Sequence, residues 1–282
     1  MTSEPEIRAL VSLLGDEDVR ITSLVWEQLG RLGPACAPAL REASEASDPR
    51  LRLRARKALL QLTLDEVEAD LRDLTAMGED LFDLEAAFTI LARISYPELR
   101  HEEVKWALDD VAVRIRSRLA GLPVPVQIRV LNQVLHGEMG FSGVLPDWRD
   151  LDPACINRVL ELRRGVPITL GVVYLLIAKR LHIPFVGVHL PHHFLVKYAG
   201  GAPEIFVDPF AAGKVLTRRE CVAGYLRDYY PKEDYIQEAS PRDITVRAIR
   251  GLLLVFAKRQ DRMMVRRLGK FLEILQVREK AR

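Results

Sequence analysis

The stretch RRGVPITLGVVYLLIAKRLHIPFVGVHLPHHFLVKY, residues 163–198, decides the fold. Its first half is an apolar run that starts after Gly165 and stops before Pro184, and it predicts a buried helix over residues 168–181. After Pro184 the pattern changes to short pieces rich in Val and aromatic residues between turn residues, which is typical of strands. These pieces lie at residues 185–188, 194–198 and 204–207. The stretch therefore predicts a helix packed on a small antiparallel sheet of three or four strands.

The rest of the chain has the apolar periodicity of helices, so the predicted fold class is α+β and mostly α. The similar pieces DEDVR at residues 16–20 and DPRLR at residues 48–52 predict two HEAT-like repeats. Two further helices are expected over residues 51–62 and 64–75. The predicted segments are HEAT-like repeats over 1–64, a helical bundle over 65–150, the helix-and-sheet core over 151–217, and a helical region over 218–282 that ends in a tetratricopeptide-like hairpin at 244–257 and 262–275.

The charge balance restricts the partners that this chain is expected to bind. Lys and Arg number 41 and Asp and Glu number 39, a formal net charge of +2. A nucleic-acid or polybasic membrane surface needs a concentrated excess of one sign, so we expect neither partner. The longest apolar run, residues 166–178, is too short to span a bilayer, and the first residues lack a signal-peptide pattern. We therefore expect a cytoplasmic protein, with a protein or a small ligand as its partner.

His193 and Asp208 follow the order that a papain-like thiol site needs. In such a site the nucleophile sits at a helix N-terminus, where backbone N–H groups and the helix dipole lower its pKa. A His on a neighbouring strand takes the proton, and an Asp on the next strand orients the imidazole. The predicted helix start, His193 and Asp208 occur here in that order.

Several linked motifs in this region resemble the SirB-type branch of the transglutaminase-like superfamily. The motifs are NRVLE at 157–161, RRGVPITL at 163–170, LHIPFVGV at 181–188, LPHHF at 190–194 and VDPF at 207–210. The resemblance extends over about residues 80–280 and implies a papain-like core. It places His193 and Asp208 on the His and Asp of the superfamily's catalytic site. The Gly-x-Cys of active members aligns with residues 165–167, so Pro167 stands at the thiol position.

Proline has no nucleophilic atom, so the resemblance excludes a thiol mechanism through Pro167. The chain departs from the sequence pattern of this branch at two places near the turn where a shared ligand contact would lie. Ala211 and Ala212 replace the usual Asn and Gly of the Asp-Pro turn, and His192 stands where Gly or Gln is common. The predicted binding residues are Arg163, Pro167, Thr169 and His192.

Two interpretations of His193 remain open at this point. It is either a surviving general base or a structural histidine bonded to Asp208, and the lack of a nucleophile favours the structural role. Thr169 is a candidate substitute nucleophile, but two positions along a helix turn its side chain away from that of Pro167. Cys155 lies in a predicted first helical turn, which lowers a thiol pKa, yet a buried apolar role is the simpler interpretation.

A metal site is not expected from the histidines of this region. His189 and His193 are four residues apart, but that spacing brings side chains together only on a helix. The three cysteines, Cys36, Cys155 and Cys221, are widely separated and predict neither a disulfide framework nor a zinc site. We expect no cofactor.

These observations predict a non-catalytic transglutaminase-like protein that acts as a binding or scaffold protein for a protein partner. The alternative is a hydrolase or amide-processing enzyme that uses His193 and Asp208 with an unconventional nucleophile. The two differ in geometry: the enzyme needs a side chain such as Cys155 or Thr169 within hydrogen-bond reach of His193.

Overall fold

A computed structural model describes residues 2–145, 147–229 and 235–276 of the chain. The chain divides into two compact units, Met1–Asp70 and Leu71–Arg282. Its helices and its small antiparallel sheet confirm the predicted mostly-α α+β class. The finer division into four segments stays a prediction. Within the described residues, no helix combines the length and apolar character that crossing a bilayer requires.

The N-terminal helices form around their own apolar core. They are α1 Glu4–Ser12, α2 Val19–Leu32, α3 Ala37–Ala43 and α4 Pro49–Ala76. Asp18 caps α2, because its side chain accepts a hydrogen bond from the backbone N–H of Arg20. Leu14, Leu29 and Leu40 are among the buried side chains of this core.

The helix α4 corrects one expectation. We predicted separate helices over residues 51–62 and 64–75, whereas the structure has one helix of 28 residues. No glycine or proline follows Pro49 within it, so no residue breaks the backbone hydrogen bonding. The predicted segment boundary after residue 64 therefore falls inside a helix.

The second unit contains the remaining helices. They are α5 Leu84–Ala92, α6 His101–Arg116, α7 Val124–Asn132, α8 Ile156–Leu162, α9 Pro167–Arg180, α10 Arg218–Tyr225, α11 Pro241–Lys258 and α12 Arg262–Gln276. A π-helical turn, Gln133–Glu138, continues α7. The predicted buried helix corresponds to α9, and α11 and α12 pack on each other where the C-terminal hairpin is predicted.

The strands form a five-stranded sheet and a separate parallel pair. Their bounds are β1 Ser142–Gly143, β2 Arg164–Gly165, β3 Phe185–Leu190, β4 His193–Tyr198, β5 Phe206–Asp208, β6 Lys214–Leu216 and β7 Glu238–Ala239. The order β6-β5-β4-β3-β7 is antiparallel throughout, and β1 pairs with β2. We expected three or four strands in the sheet. The extra edge strand β7 has only two residues, too few for a periodic signal, and it forms by pairing with β3.

The helix α9 packs closely on one face of this sheet. A Cβ at Gly171 would lie 2.2 Å from Cδ1 of Phe194, and one at Gly187 would lie 2.6 Å from its Cζ. The two glycines thus leave the space that the buried Phe194 ring occupies. The Phe194 ring is therefore held between the helix and strand β3.

The opposite face of the sheet carries the candidate site. Side chains alternate along a strand, and Phe194 belongs to the core that contains α9. Leu195 and Phe206 belong to a second core that includes Cys221 of α10. His193 is two residues before Leu195 on β4, and Asp208 is two residues after Phe206 on β5. Each therefore lies on the same face of the sheet as that neighbour, the face that packs on α10.

Candidate functional site

His193 and Asp208 form a hydrogen-bonded pair, as the sequence predicts. Nε2 of His193 lies 2.8 Å from Oδ2 of Asp208. His193 begins β4 and Asp208 ends β5, the neighbouring strand, so sheet pairing brings them together. The His193 side chain is 15% exposed and the Asp208 side chain 1%. The pair is therefore nearly enclosed, with the imidazole as its accessible member.

Asp208 is the polar centre of the site. Its Oδ2 accepts hydrogen bonds from Nε2 of His193 and, at 2.5 Å, from Oη of Tyr225. Its Oδ1 accepts from the backbone N–H groups of Phe210 at 2.9 Å and Ala211 at 3.1 Å. Asp208 thus orients the imidazole, as the sequence analysis expects, and it also caps the Asp-Pro turn.

These hydrogen bonds decide the ionisation of Asp208. Burial by itself would raise the pKa of the carboxyl group, but the hydrogen bonds from His193 and Tyr225 outweigh it and lower the pKa. The same environment acts on Tyr225 in the other direction, because burial and the adjacent carboxylate raise the pKa of its phenol. At neutral pH the site therefore contains a carboxylate and an un-ionised tyrosine.

The hydrogen bonds also fix the tautomer of His193. Since Asp208 is ionised and only accepts, Nε2 of His193 carries the hydrogen and donates it. In the neutral imidazole, Nδ1 is then the nitrogen with the free lone pair. This is the nitrogen that could accept a proton from a substrate or a nucleophile.

Tyr225 is a member of this site that sequence reasoning missed. Its ring stacks on the His193 imidazole with centroids 4.8 Å apart and planes 10° apart. The Phe210 ring makes a T-shaped contact with the imidazole, with centroids 5.6 Å apart. These two rings and Asp208 together hold one orientation of His193. Tyr225 ends an ordinary amphipathic helix, so no local pattern indicates its role.

Arg247 holds the turn from which His193 emerges. Its Nη2 donates to the carbonyl oxygens of Leu190 and His193, both at 2.7 Å. Between them lies His192, whose φ of 57° is in the left-handed region. Arg247 comes from α11 and was also missed, since an arginine on a basic helix has no distinguishing sequence signal.

The Asp-Pro turn is held on its other side by Asn132. Nδ2 of Asn132 donates to the carbonyl oxygen of Gly213 at 2.7 Å, and Oη of Tyr174 donates to Oδ1 of Asn132 at 2.9 Å. Gly213 has a φ of 72°, and a Cβ there would lie 2.5 Å from Cδ2 of His136. Close packing against the end of α7 therefore requires glycine at this position.

A large cavity connects most of the predicted site residues. His193, His192, Pro167, Thr169 and Cys155 all line one cavity of about 1890 Å³. Further walls come from the end of α4, from α5 and from α11. The cavity exceeds the ~300–1,000 Å³ typical of small-molecule sites, so it has room for a polypeptide segment.

Arg163 lies elsewhere. It ends α8 with a φ of 61°, and its guanidinium lies 4.7 Å from the centroid of the Phe141 ring. Arg163 is not among the residues that line the cavity. Its role as a binding residue stays a prediction, and the structure separates it from the other three predicted binding residues.

The candidate substitute nucleophiles do not bond to His193. Thr169 is 1% exposed, and its hydroxyl lies 3.4 Å from the carbonyl oxygen of Ala154, to which it donates. Cys155 is 4% exposed, and burial raises the pKa of its thiol to about 12 although a hydrogen bond with Ser95 opposes this. At neutral pH Cys155 is therefore a thiol, a poor nucleophile.

The other titratable clusters give no metal centre. Within residues 2–145, 147–229 and 235–276, no group of three or more His, Cys, Asp or Glu side chains is arranged to hold a metal ion. Cys36 and Cys221 are buried free thiols, like Cys155.

Comparison with known proteins supports the placement of this core. A family model described as the transglutaminase-like superfamily matches residues 102–250. The chain is 30% identical over 192 residues to a UPF0162 protein of Xylella fastidiosa (strain 9a5c), an alignment that covers 65% of this chain and 68% of that protein. It is 33% identical over 111 residues to F-box only protein 21 of Homo sapiens, covering 36% of this chain and 18% of that protein. No solved structure matches.

The matched region begins within α6, ends within α11, and contains α9, the sheet and the hydrogen-bonded pair of His193 and Asp208. Since it spans more than half of the chain, this protein belongs to the transglutaminase-like superfamily.

Proposed function

We propose that this protein is a non-catalytic member of the superfamily that binds a segment of a protein partner in the cavity beside His193. One observation carries the proposal: α9 begins at Pro167, a residue without a nucleophilic atom, in a cavity large enough for a polypeptide. The buried Cys155 and Thr169, which bond elsewhere, support it further. Under this proposal the pair of His193 and Asp208 has a structural role.

We also propose the SirB-type branch, supported by the motifs of residues 157–210 and by Pro167 at the thiol position. The HEAT-like interpretation of residues 1–64 and the tetratricopeptide-like interpretation of α11 and α12 belong to the same proposal. Helical repeats of these types build extended surfaces for protein partners, which is consistent with a scaffold role.

The test uses a photo-crosslinking amino acid at His192, which is exposed at the cavity. A crosslinked partner is identified, purified and titrated calorimetrically against the unmodified protein and Gly251→Trp. Gly251 lines the cavity, and a Cβ there meets nothing within 4 Å, so a tryptophan side chain can start there and take up part of the cavity. We expect Gly251→Trp to bind the partner at least tenfold more weakly than the unmodified protein does.

The matched control is Gly30→Trp, at an exposed helical glycine that also has open space and lies outside the cavity. Its affinity should equal that of the unmodified protein. Equal binding by Gly251→Trp would contradict the proposed site.

A hydrolase is the second candidate, because His193 keeps its orienting carboxylate, which leaves Nδ1 as the nitrogen that could accept a proton. In that case the base would activate water. The discriminating measurement is turnover of amide and ester substrates by the purified protein. Turnover that His193→Ala abolishes would establish the enzyme and overturn the non-catalytic proposal.

A further inference from the structure

One face of α11 forms a wall of the cavity. The residues on it are Asp243, Arg247, Arg250, Leu254 and Lys258. At 100° per residue these positions fall within an arc of about 80°, so they form one stripe along the helix. Arg250 and Lys258 are exposed, and Leu254 between them is 64% exposed. The stripe is thus cationic with an apolar centre.

The cations of this stripe have no carboxylate partner in the described part of the chain. Among the described residues, no carboxylate oxygen of an Asp or Glu lies within 4.0 Å of a side-chain nitrogen of Arg247, Arg250 or Lys258. Arg247 instead donates to two backbone carbonyl groups, which leave its charge uncompensated. This wall therefore holds three positive charges and one carboxylate, that of Asp243, which accepts hydrogen bonds from the hydroxyl and the backbone N–H of Ser240.

Two carboxylates that line the cavity, Glu79 and Glu238, are already paired with cations. Nε of Arg242 lies 3.2 Å from Oε2 of Glu79, and Nζ of Lys197 lies 3.1 Å from Oε1 of Glu238. The carboxylates of Glu79 and Glu238 are thereby neutralised within the protein.

His189 adds an unsatisfied polar atom to the same cavity. Its Nε2 is buried and has no hydrogen-bond partner among the described residues. Burial and the neighbouring Arg247 lower the pKa of its imidazole to about 4, so at neutral pH it is uncharged. A buried polar atom without a partner is unfavourable, so this part of the cavity wall carries an energetic cost in the folded protein.

We propose that the stripe on α11 binds an acidic, partly apolar segment of the partner protein, with its carboxylates on Arg250 and Lys258 and an apolar side chain on Leu254. This inference rests on the proposed function and names the chemistry of the bound segment. Arg247 lies deeper in the same wall and adds its positive charge there.

The spacing suits an extended peptide. From Arg250 to Lys258 the helix rises about 12 Å, at 1.5 Å per residue. In an extended chain, residues i and i+4 point to the same side and lie about 13 Å apart. Acidic residues at i and i+4 therefore match the two exposed cations, and the residue between them on that side faces Leu254.

A nucleic acid fits this surface less well than an acidic peptide. Asp243 belongs to the same stripe, and a polyphosphate backbone with a charge at every nucleotide would approach it closely. Leu254 and the apolar lining at Leu151 and Val255 also favour a ligand with apolar side chains.

The experiment measures fluorescence anisotropy of a labelled eight-residue peptide with blocked ends, which has glutamate at positions 2 and 6, leucine at position 4 and serine elsewhere. The comparison probes are the same peptide with glutamine in place of glutamate, and a single-stranded oligonucleotide of equal length. The proteins are the full chain, the double variant Arg250→Glu with Lys258→Glu, and Arg219→Glu. Arg219 is an exposed cation of α10 outside the cavity, so this control tests nonspecific charge effects.

We expect the glutamate peptide to bind at least tenfold tighter than the glutamine peptide and the oligonucleotide. The double variant should lose at least tenfold in affinity, and Arg219→Glu should stay within twofold. Equal binding of the glutamine peptide, tighter binding of the oligonucleotide, or an equal loss in Arg219→Glu would overturn the inference. So would no binding of the glutamate peptide, whereas the proposed function is judged separately by the crosslink at His192.

Discussion

Asp208 shows how a single residue organises the candidate site. It lies at the end of a three-residue strand, yet its two oxygens accept four hydrogen bonds from side chains and the backbone. Such a carboxylate stabilises the folded state only while it is ionised. The free energy of unfolding should therefore change with pH in a way that reports the hydrogen bonds to this carboxylate.

We predict that Tyr225→Phe destabilises the protein at pH 7 and much less at low pH. The variant removes one donor to Asp208, which raises the pKa of the carboxyl group towards its usual value. Because the folded-state pKa of Asp208 is lowered, its contribution is present above the unfolded-state pKa of about 4 and disappears as pH falls through the folded-state pKa.

The measurement is urea unfolding at pH 7 and at successively lower pH. The expected loss at pH 7 is about 1.5–3 kcal/mol, the range for a hydrogen bond to a charged group. Tyr198→Phe is the control, since its ring lies on the other face of the sheet. A loss independent of pH would show that Tyr225 acts only by packing.

We predict that Pro167→Cys creates a reactive thiol. The first residue of α9 lies at a helix N-terminus, which lowers a thiol pKa, and it shares a cavity with His193. Alkylation by iodoacetamide should therefore continue at a pH where an ordinary thiol no longer reacts. Since Cys36, Cys155 and Cys221 are buried, their background reaction is slow.

Pro49→Cys supplies the matched control, because Pro49 is also the first residue of a helix but lies outside the cavity. The thiol at position 167 should react faster than this control at low pH, and His193→Ala should remove the difference. Equal pH profiles would contradict the alignment of Pro167 with the thiol position.

At the scale of elements, the contact between α9 and β4 positions the site. The strand that begins with His193 continues with Phe194, and the Phe194 ring fills the space left by Gly171. A glycine inside a helix lowers its intrinsic stability, so its presence here reflects the close approach of the strand.

We predict opposite effects for the same substitution at two helical glycines. Gly171→Ala should destabilise the protein by about 1–3 kcal/mol, because the new Cβ overlaps the buried Phe194 ring. Gly251→Ala should be neutral or stabilise by up to about 1 kcal/mol, because its Cβ meets open space. Thermal and urea unfolding measure both, and equal effects would contradict the packing described for α9.

At the scale of the whole molecule, each of the two units has its own apolar core, and the larger unit also depends on a charged cluster. Nη1 of Arg180, the last residue of α9, lies 2.9 Å from Oε2 of Glu85 on α5, and its Nε lies 2.6 Å from Oδ1 of Asp109 on α6. Arg180 and Glu85 are mostly buried, whereas Asp109 is nearly half exposed, so the pair of Arg180 and Glu85 is the shielded part of a cluster that joins three helices.

We predict that Arg180→Met destabilises the second unit by about 3–5 kcal/mol, because it removes the guanidinium from the buried carboxylate of Glu85, whose other neighbour, the partly exposed imidazole of His101, is 3.8 Å away. Arg114→Met is the control, since Arg114 pairs with Asp110 in an exposed pair of one helix and should cost less than about 1 kcal/mol. Urea unfolding compares the two. A loss no larger than that of the control would show that Glu85 finds another partner.

The sequence by itself predicted the class of the fold, the buried helix, the central strands and the pairing of His193 with Asp208. It could do so because helical and strand periodicities are local, and because the relevant motifs lie close together in residues 157–210. Its errors were also local: it divided α4, which contains no breaker, and it missed β7, which is too short to show a period.

Only the tertiary structure brought Tyr225, Arg247 and Asn132 to the site and separated Arg163 from the cavity. These contacts join elements that are distant in the chain, and they use common residue types in unremarkable helices. No local pattern distinguishes such a residue from any other helical tyrosine, arginine or asparagine. The sequence therefore determined which groups could do chemistry, and packing determined which of them meet.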